Sequence, residues 1–172
     1  MIQNGLYYLK EQFCFGYFAI IYSKMPFLIN NIILTESDNN KFDLIIKKNK
    51  AVLNSCLEAK KVSIAINNYC NGHPIDISWD YLNFNNFTSL QKIVYKKCMQ
   101  IPYGKTKTYK EIAIDVQRPR AYRFIGSCMA KNPFPIIIPC HRVIKSDGSI
   151  GNYSGGIMLK RKMLELEGKK VK

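Results

Sequence analysis

The chain has 172 residues, of which 47% are hydrophobic and 22% charged, and it carries a formal net charge of +14. This length and composition are those of a globular protein with one domain or two small ones. No apolar run approaches the roughly 20 residues that span a bilayer, and residues 1–10 lack a basic segment followed by an apolar one. We therefore expect a cytoplasmic protein with neither a membrane span nor a secretory signal.

The positive charge is concentrated in the C-terminal half. Residues 1–86 contain 8 Lys and Arg against 7 Asp and Glu, whereas residues 87–172 contain 18 against 5. A lysine-rich surface of the kind encoded by AT-rich genomes would explain many lysines, but it would not explain this asymmetry. The charge pattern therefore favours a polyanionic partner for the C-terminal half.

The six cysteines show no disulfide framework, and a chain of this length does not need covalent cross-links. We therefore predict reduced thiols. We also predict no metal site, because the two histidines and the scattered cysteines form no zinc-ligand pattern. Four cysteines are interpreted as buried structural residues: Cys14, Cys56, Cys70 and Cys98.

The N-terminal part, residues 1–80, has the pattern of an α+β unit. Aromatic and β-branched runs predict three strands, and later apolar spacing predicts a helix that stops at an Asn-Gly pair. These elements are expected at Leu6–Leu9, Phe15–Tyr22, Phe27–Leu34 and Asn49–Asn71, with a turn at residues 23–26 between the last two strands. Residues 74–86 have the composition of a linker, so a second domain is predicted at residues 81–172.

After the linker the pattern becomes helical. Thr108 and Glu111 have the spacing of a capping box, which predicts a short helix over residues 109–116. A turn follows, and Pro119 is well placed as the first residue of a second helix that runs to Lys131. Two short helices joined by a turn form a helix-turn-helix pattern.

The second helix carries a candidate DNA-binding face. Arg120, Arg123 and Ser127 share one side of it, and Gly126 leaves room for the backbone of a duplex. Helix pairs also occur in proteins that bind no DNA, so the pattern predicts DNA binding only together with the charge of this half.

The strongest indication of chemistry follows a β-branched run. Ile136–Ile138 is predicted to be a buried strand, and Pro139 ends it immediately before Cys140. His141 and Arg142 come next. A base and a cation beside a thiol favour its reactive thiolate form, so Cys140 is a candidate nucleophile.

The C-terminal half resembles the O6-alkylguanine-DNA alkyltransferases, also called methylated-DNA–protein-cysteine methyltransferases. The resemblance covers residues 87–168 and rests on these segments: Ile101-Pro102-Tyr103-Gly104, Thr108-Tyr109, Arg123 with Gly126, Asn132-Pro133, Pro139-Cys140-His141-Arg142-Val143, Gly151-Asn152-Tyr153-Ser154-Gly155-Gly156 and Glu167-Gly168.

The resemblance implies DNA repair in which an alkyl group moves from O6 of guanine to Cys140, irreversibly and once per molecule. It implies that His141 removes the thiol proton through a bridging water and that Glu167 orients His141. The implied partner is double-stranded DNA that contains O6-alkylguanine, bound by a monomer without a cofactor.

The resemblance also implies that the target base is extruded from the duplex. The second helix is expected to enter the minor groove, where Arg123 fills the gap in the base stack. Tyr109 is expected to displace a phosphate and to bond to N3 of guanine. The predicted DNA-binding residues are Tyr109, Arg120, Arg123, Gly126 and Ser127, with Ser127 at a position where the family commonly has glycine.

Five residues are expected around the extruded base. Met129 packs against it, the backbone N–H of Ser154 points at O6, and the carbonyl of Val143 accepts from the exocyclic amine. Tyr153 belongs to the same pocket. Asn132 fastens the active-site loop to the second helix, because an amide both donates and accepts hydrogen bonds.

The fold class implied is α+β. The N-terminal domain is expected to be a ribonuclease-H-like α/β domain with a structural role, and the C-terminal domain a mainly helical, winged-helix-like domain with the helix-turn-helix. Three other functions stay open: a sensor that binds alkylguanine without transfer, a helix-turn-helix transcriptional regulator, and a cysteine hydrolase for a small molecule. The presence of Cys140, His141 and Glu167 disfavours the sensor, and the basic half disfavours the hydrolase.

Overall fold

The computed structural model describes residues 5–37 and 40–171. It is a mixed α+β protein, as predicted. The chain divides into two compact units, Met1–Asn83 and Phe84–Lys172. Within the described residues, no helix has both the length and the apolar character needed to cross a membrane.

The N-terminal unit is built on a four-stranded sheet. Its strands are β1 (Tyr7–Phe13), β2 (Gly16–Lys24), β3 (Phe27–Thr35) and β4 (Val52–Leu53). The strand order is β3-β2-β1-β4, with β1 to β3 antiparallel and β4 parallel to β1. The three predicted strands are confirmed, although β1 continues four residues beyond its predicted end.

The central strand β2 carries the core of this unit. Its residues 18–22 are fully buried, and β3 and β1 flank the strand on its two sides. Ala19 and Ile21 pack in one cluster with Ile33 of β3 and Phe42. A continuous apolar run in the middle of a sheet is therefore what holds this unit together.

The helix predicted at Asn49–Asn71 begins later in the structure, at Leu57. The structure has two helices, α1 (Asn40–Lys48) and α2 (Leu57–Cys70), with β4 between them. The backbone N–H of Val52 donates to the carbonyl of Leu6 at 3.0 Å, which places this segment on the sheet. Local periodicity does not show a pairing between residues so distant in the chain, so the strand was missed.

The prediction of six reduced cysteines is wrong for two of them. Cys14 and Cys70 form a disulfide with a Cα–Cα distance of 5.8 Å. Cys14 is exposed in the turn between β1 and β2, and Cys70 ends α2, so the bridge ties the hairpin to the helix. Cys56 is half-buried and caps α2, since its sulfur accepts from the backbone N–H of Ala59 at 3.4 Å. Cys98 is buried, as predicted, but the predicted burial is wrong for the exposed Cys14, and Cys56 and Cys70 are only partly buried.

The C-terminal unit is mainly helical. Its elements are α3 (Ser89–Met99), β5 (Lys107–Thr108), α4 (Tyr109–Asp115), α5 (Tyr122–Ala130), a 3-10 helix (Cys140–Arg142), β6 (Val143–Ile144) and α6 (Ile157–Leu166). β5 and β6 pair in parallel. Aromatic rings with centroids between 5.2 and 6.4 Å apart form part of its core: Phe84, Phe87, Tyr95 and Phe134.

The predicted capping box is confirmed. The hydroxyl oxygen of Thr108 accepts from the backbone N–H of Glu111 at 3.1 Å, and the backbone N–H of Thr108 donates to the Glu111 carboxylate at 2.6 Å. Thr88 and Gln91 form a second capping box at the start of α3. Both boxes satisfy backbone donors that a helix start leaves unpaired, so they fix where α3 and α4 begin.

The second helix of the predicted helix-turn-helix is shorter than expected. It begins at Tyr122 and not at Pro119, because a turn closed by the N–H of Ala121 and the carbonyl of Arg118, at 2.8 Å, comes first. Arg120 therefore lies in the turn, while Arg123 and Ser127 lie on α5.

The predicted strand at Ile136–Ile138 is wrong, although these residues are buried. They lie in turns, and the N–H of Ile138 donates to the carbonyl of Phe134 at 2.8 Å. Proline has no backbone donor and a fixed φ, so the nearby Pro135 and Pro139 prevent a regular strand. β-branched residues are here buried by the fold and not by a sheet.

The disulfide generates a test. Cys14→Ser and Cys70→Ser should each destabilise the protein by about 2–4 kcal/mol, because the bridge closes a long loop. Urea denaturation followed by circular dichroism measures the effect, and the unaltered protein in reductant should match both variants. Cys56→Ser is the matched control, since serine keeps the cap of α2. Equal urea midpoints for all three variants in the absence of reductant would contradict the predicted stabilisation by the disulfide.

Candidate active site

A buried carboxylate, Glu167, lies at the centre of the site. Its Oε1 is 2.8 Å from Nε2 of His141 and accepts from Nη2 of Arg142 at 3.0 Å. Its Oε2 accepts from Nε of Arg142 at 2.9 Å and from the backbone N–H of Gly104 at 2.9 Å. Paired N–H···O bonds from an arginine fix the plane of a carboxylate. The carboxylate is therefore held in one position and in turn holds the imidazole of His141.

The three side chains of this network differ in protonation state. Burial alone would raise the pKa of Glu167, but hydrogen bonds from His141 and Arg142 outweigh it and hold that pKa well below its usual range. Burial lowers the pKa of His141, although Glu167 opposes the change. At neutral pH the site therefore contains an ionised carboxylate, a neutral imidazole and the permanent cation of Arg142. A neutral imidazole can accept a proton, as a general base must.

Cys140 begins the 3-10 helix and is only 2% exposed. The Asn132 side-chain amide donates to the sulfur of Cys140 at 3.1 Å and to the carbonyl of Ile138 at 2.8 Å. Its oxygen accepts from the backbone N–H of Phe134 at 3.0 Å. Asn132 thus joins the residues that follow α5 to the loop that carries the cysteine.

Lys160 of α6 brings a second buried cation to the cysteine. Its ammonium donates to the carbonyl of Val143 at 2.6 Å and lies 6.0 Å from the centroid of the Tyr109 ring. Burial lowers the pKa of Lys160 to about 8, while the thiol of Cys140 opposes the change. Burial also raises the pKa of Cys140, and a hydrogen bond from Asn132 and the charge of Lys160 partly offset it. The thiol is therefore protonated at rest and needs a proton acceptor to react.

Tyr109 begins α4 and packs between two glycines. A Cβ at Gly126 of α5 would lie 4.0 Å from its ring, and a Cβ at Gly151 would lie 3.1 Å from its hydroxyl. Gly151 also has a φ of +70°, a conformation that other residues rarely adopt. The absence of a side chain at Gly151 therefore makes room for the tyrosine hydroxyl, whereas a Cβ at Gly126 would make only an ordinary contact with the ring.

The predicted DNA-binding side chains form an exposed surface. Arg120, Arg123 and Ser127 are all exposed, on the turn before α5 and on α5 itself. The guanidinium of Arg123 lies 5.9 Å from the ring centroid of Tyr122. These side chains point into solvent, so a duplex could reach all three.

The residues predicted around the base differ in exposure. Met129 and Val143 are buried, Tyr153 is half-buried and Ser154 is exposed. The hydroxyl of Tyr153 is 3.9 Å from the sulfur of Met163. Across residues 5–37 and 40–171, no three His, Cys, Asp or Glu side chains form a group that could hold a metal ion.

Two residues of the site make contacts that the sequence does not predict. Arg142 appeared only as a cation beside the thiol, yet it holds Glu167 and donates to the carbonyl of Ile101 at 2.7 Å. The burial of Lys160 could have been predicted from the sequence, because a lysine on the apolar face of a helix indicates a buried charge that has a partner. The other members of that buried face are Leu159, Met163 and Leu164.

Together these observations define an α+β protein whose C-terminal unit buries a cysteine that is followed in the chain by a histidine and an arginine, both bound to one glutamate. Residues 89–169 match the family described as the 6-O-methylguanine DNA methyltransferase DNA-binding domain. Residues 89–169, just under half of the chain, are therefore similar to that domain.

Curated relatives support the match. A methylated-DNA–protein-cysteine methyltransferase of Methanosarcina barkeri is 52% identical over 80 residues, which are 46% of this chain and 51% of the relative. One from Methanothermobacter thermautotrophicus is 39% identical over 109 residues, 63% of this chain and 61% of the relative. The chain thus spans about half to three fifths of these relatives.

Solved structures are similar over more of the chain. Mycobacterium tuberculosis OGT in complex with DNA has a TM-score of 0.75 at 28% identity, covering 94% of this chain and 93% of that one. The O6-methylguanine-DNA methyltransferase of Pyrococcus kodakaraensis has a TM-score of 0.77 at 25% identity, covering 94% and 99%. The similarity therefore extends to residues outside the matched domain.

Arg142 generates a test of the buried network. Arg142→Ala should destabilise the protein by about 3–5 kcal/mol, because it leaves the Glu167 carboxylate buried without its cation. Arg142→Lys should restore only part of the loss, since lysine cannot offer paired N–H groups. Urea denaturation measures both, with the exposed Arg118→Ala as the control. Equal urea midpoints for Arg142→Ala and Arg118→Ala would show that Arg142 does not stabilise the buried carboxylate.

Proposed function

We propose that this protein repairs DNA by taking an alkyl group from O6 of guanine onto Cys140. The sulfur attacks the alkyl carbon, so a C–S bond forms and the C–O6 bond breaks. The thiol proton passes through a water molecule to His141, and the departing guanine takes up a proton. The observation that carries the proposal is a buried thiol, followed in the chain by a buried neutral imidazole, within the segment that matches the alkyltransferase family.

The surroundings of the thiol suit this step. Its raised pKa keeps it protonated at rest, and His141 is in the state that accepts a proton. The hydrogen bond from Asn132 and the nearby ammonium of Lys160 would stabilise the thiolate as it forms. The product is a thioether, which is no longer a nucleophile, so each molecule would act once.

The exposed cations support DNA as the carrier of the alkylated base. The base must leave the stack before its O6 atom can meet a buried sulfur. Arg123, exposed on α5, would fill the gap, while Arg120, Gly126 and Ser127 would follow the backbone. Tyr109, whose ring centroid lies 6.0 Å from the ammonium of Lys160, would displace the phosphate and bond to the base.

The pocket for the base would be formed by residues from both sides of the cysteine. Met129 and Val143 offer buried apolar surface, and Tyr153 and Ser154 lie on the more exposed loop that precedes α6. An apolar pocket with a few polar groups is the usual form of a site for a planar ligand. We further infer a ribonuclease-H-like N-terminal unit, supported by its strand order, and a winged-helix-like C-terminal unit, supported by α4, α5 and the β5–β6 pair.

Intact mass after mixing with a duplex that carries one O6-methylguanine tests the proposal. The unaltered protein should gain one methyl group, mapped to the peptide that contains Cys140. Cys140→Ser should gain none while it still binds the duplex, because it loses the nucleophile and no DNA contact. Cys56→Ser is the control and should react normally. Tight binding of the unaltered protein to the lesion without a mass gain would instead make it a damage sensor.

A variant at Arg123 would distinguish extrusion of the base from transfer of the alkyl group. Arg123→Ala should slow transfer from duplex DNA much more than transfer from free O6-benzylguanine, because only the duplex needs a side chain in the vacated stack. Rates of mass gain with the two substrates measure the difference. Arg118→Ala, an exposed arginine of the same turn region, is the control. Equal losses on both substrates would show that Arg123 does not assist extrusion.

A further inference from the structure

Tyr95 of α3 is a fully buried tyrosine whose hydroxyl is bonded to the end of α5. The hydroxyl donates to the backbone carbonyl of Cys128 at 3.0 Å. A helix leaves its last four carbonyls without a regular intrahelical partner, and α5 ends at Ala130, so the carbonyl of Cys128 is one of these. A side chain from another helix therefore takes part in ending α5.

The backbone bonds at the end of α5 show what the hydroxyl replaces. In a continuing helix, the N–H of Asn132 would donate to the carbonyl of Cys128, four residues earlier. It donates to the carbonyl of Met129 instead, at 3.4 Å, while the N–H of Lys131 reaches the carbonyl of Cys128 at 3.2 Å. The hydroxyl of Tyr95 therefore takes the place of the Asn132 donor, and the chain leaves the helix at Asn132.

The ring of Tyr95 is connected to Asn132 by a second route. Its centroid lies 6.1 Å from that of Phe84 and 5.7 Å from that of Phe87. The ring of Phe134 packs on the same two rings, with centroids 5.2 and 6.4 Å away. The backbone N–H of Phe134 donates to Oδ1 of Asn132 at 3.0 Å. Tyr95 therefore contacts both the helix end before Asn132 and the aromatic cluster that holds the segment after it.

The position of Asn132 matters because its amide is bonded to the sulfur of Cys140. Its Nδ2 donates to that sulfur at 3.1 Å and to the carbonyl of Ile138 at 2.8 Å. Burial raises the pKa of the thiol, and this hydrogen bond partly offsets the effect. Hydrogen bonds weaken steeply when their geometry is lost, so a small shift at the end of α5 would change the bond to the sulfur.

We propose that the hydroxyl of Tyr95, by capping the end of α5, holds the Asn132 amide on the sulfur of Cys140. Tyr95 is a positioning residue, since it acts through Asn132 and not on the reacting atoms. Phenylalanine would fill the same space but leave the carbonyl without its cap, so the amide would be held less well. The consequence for alkyl transfer rests on the proposed function, whereas the effect on the thiol does not.

Alkylation of Cys140 by iodoacetamide tests the effect on the thiol, because it needs neither DNA nor transfer activity. Its rate, followed by the mass of the Cys140 peptide, rises with pH as the thiolate forms. Tyr95→Phe should move this profile to higher pH, because the thiolate loses part of its hydrogen bond. Burial raises the pKa of Tyr95, so in the unaltered protein its hydroxyl stays protonated across the profile.

Tyr22→Phe is the matched control. Tyr22 is also fully buried and its hydroxyl donates to the carbonyl of Asn54 at 3.0 Å, but it lies in the N-terminal unit. Both variants should lower the urea midpoint to a similar extent, and only Tyr95→Phe should move the profile. The other titratable and charged groups near the thiol are unchanged in both variants: Cys98 of α3, Tyr109 of α4, His141 and Arg142 of the 3-10 helix, Tyr153, and Lys160 of α6.

Transfer from free O6-benzylguanine tests the consequence for the reaction. Tyr95→Phe should slow it roughly fivefold at neutral pH, the effect of one weakened hydrogen bond, and Tyr22→Phe should not. A profile for Tyr95→Phe that coincides with that of Tyr22→Phe would overturn the proposal and make Tyr95 a purely structural residue. A shifted iodoacetamide profile in a protein that takes no alkyl group from benzylguanine or DNA would retain Tyr95 as the cap and reject the proposed function.

Discussion

The structure of the C-terminal unit depends on one buried ion network. A carboxylate taken out of water is costly unless it is paired and fully hydrogen-bonded, and Glu167 meets both conditions through Arg142, His141 and the N–H of Gly104. His141 and Arg142 lie on the 3-10 helix and Gly104 on the loop after α3, whereas Glu167 itself follows α6. The same contacts that satisfy the charge therefore hold the loop of Cys140 in place.

Positive charge has two different roles in this unit. Arg142 and Lys160 are buried, where each has a specific acceptor and acts on the protonation of its neighbours. The cations of the α4–α5 turn are exposed, where a phosphate backbone could reach them. A high net charge alone does not distinguish these roles, because the count of lysines and arginines says nothing of burial. The division between chemistry and binding appears only when each side chain is placed.

Much of the local structure could be predicted. The strands of the N-terminal sheet and the capping box at Thr108 follow from patterns within a few residues, so their local signals are strong. The wrong predictions have two causes. β4, the Cys14–Cys70 disulfide and the turns at residues 136–138 are set by partners distant in the chain or by prolines that override a β-branched run.

The sequence by itself determined the α+β class, the basic half, the candidate nucleophile Cys140 and the similarity of residues 89–169 to a known domain family. These depend on residue types and short spacings, which a chain carries whether or not it is folded. Tertiary structure alone decided that Arg142 holds Glu167, that Lys160 is a buried cation near the thiol, and that the hydroxyl of Tyr95 bonds to the end of α5. Burial and contact across long chain separations create those properties, and only the burial of Lys160 is indicated locally, by its place on the apolar face of α6.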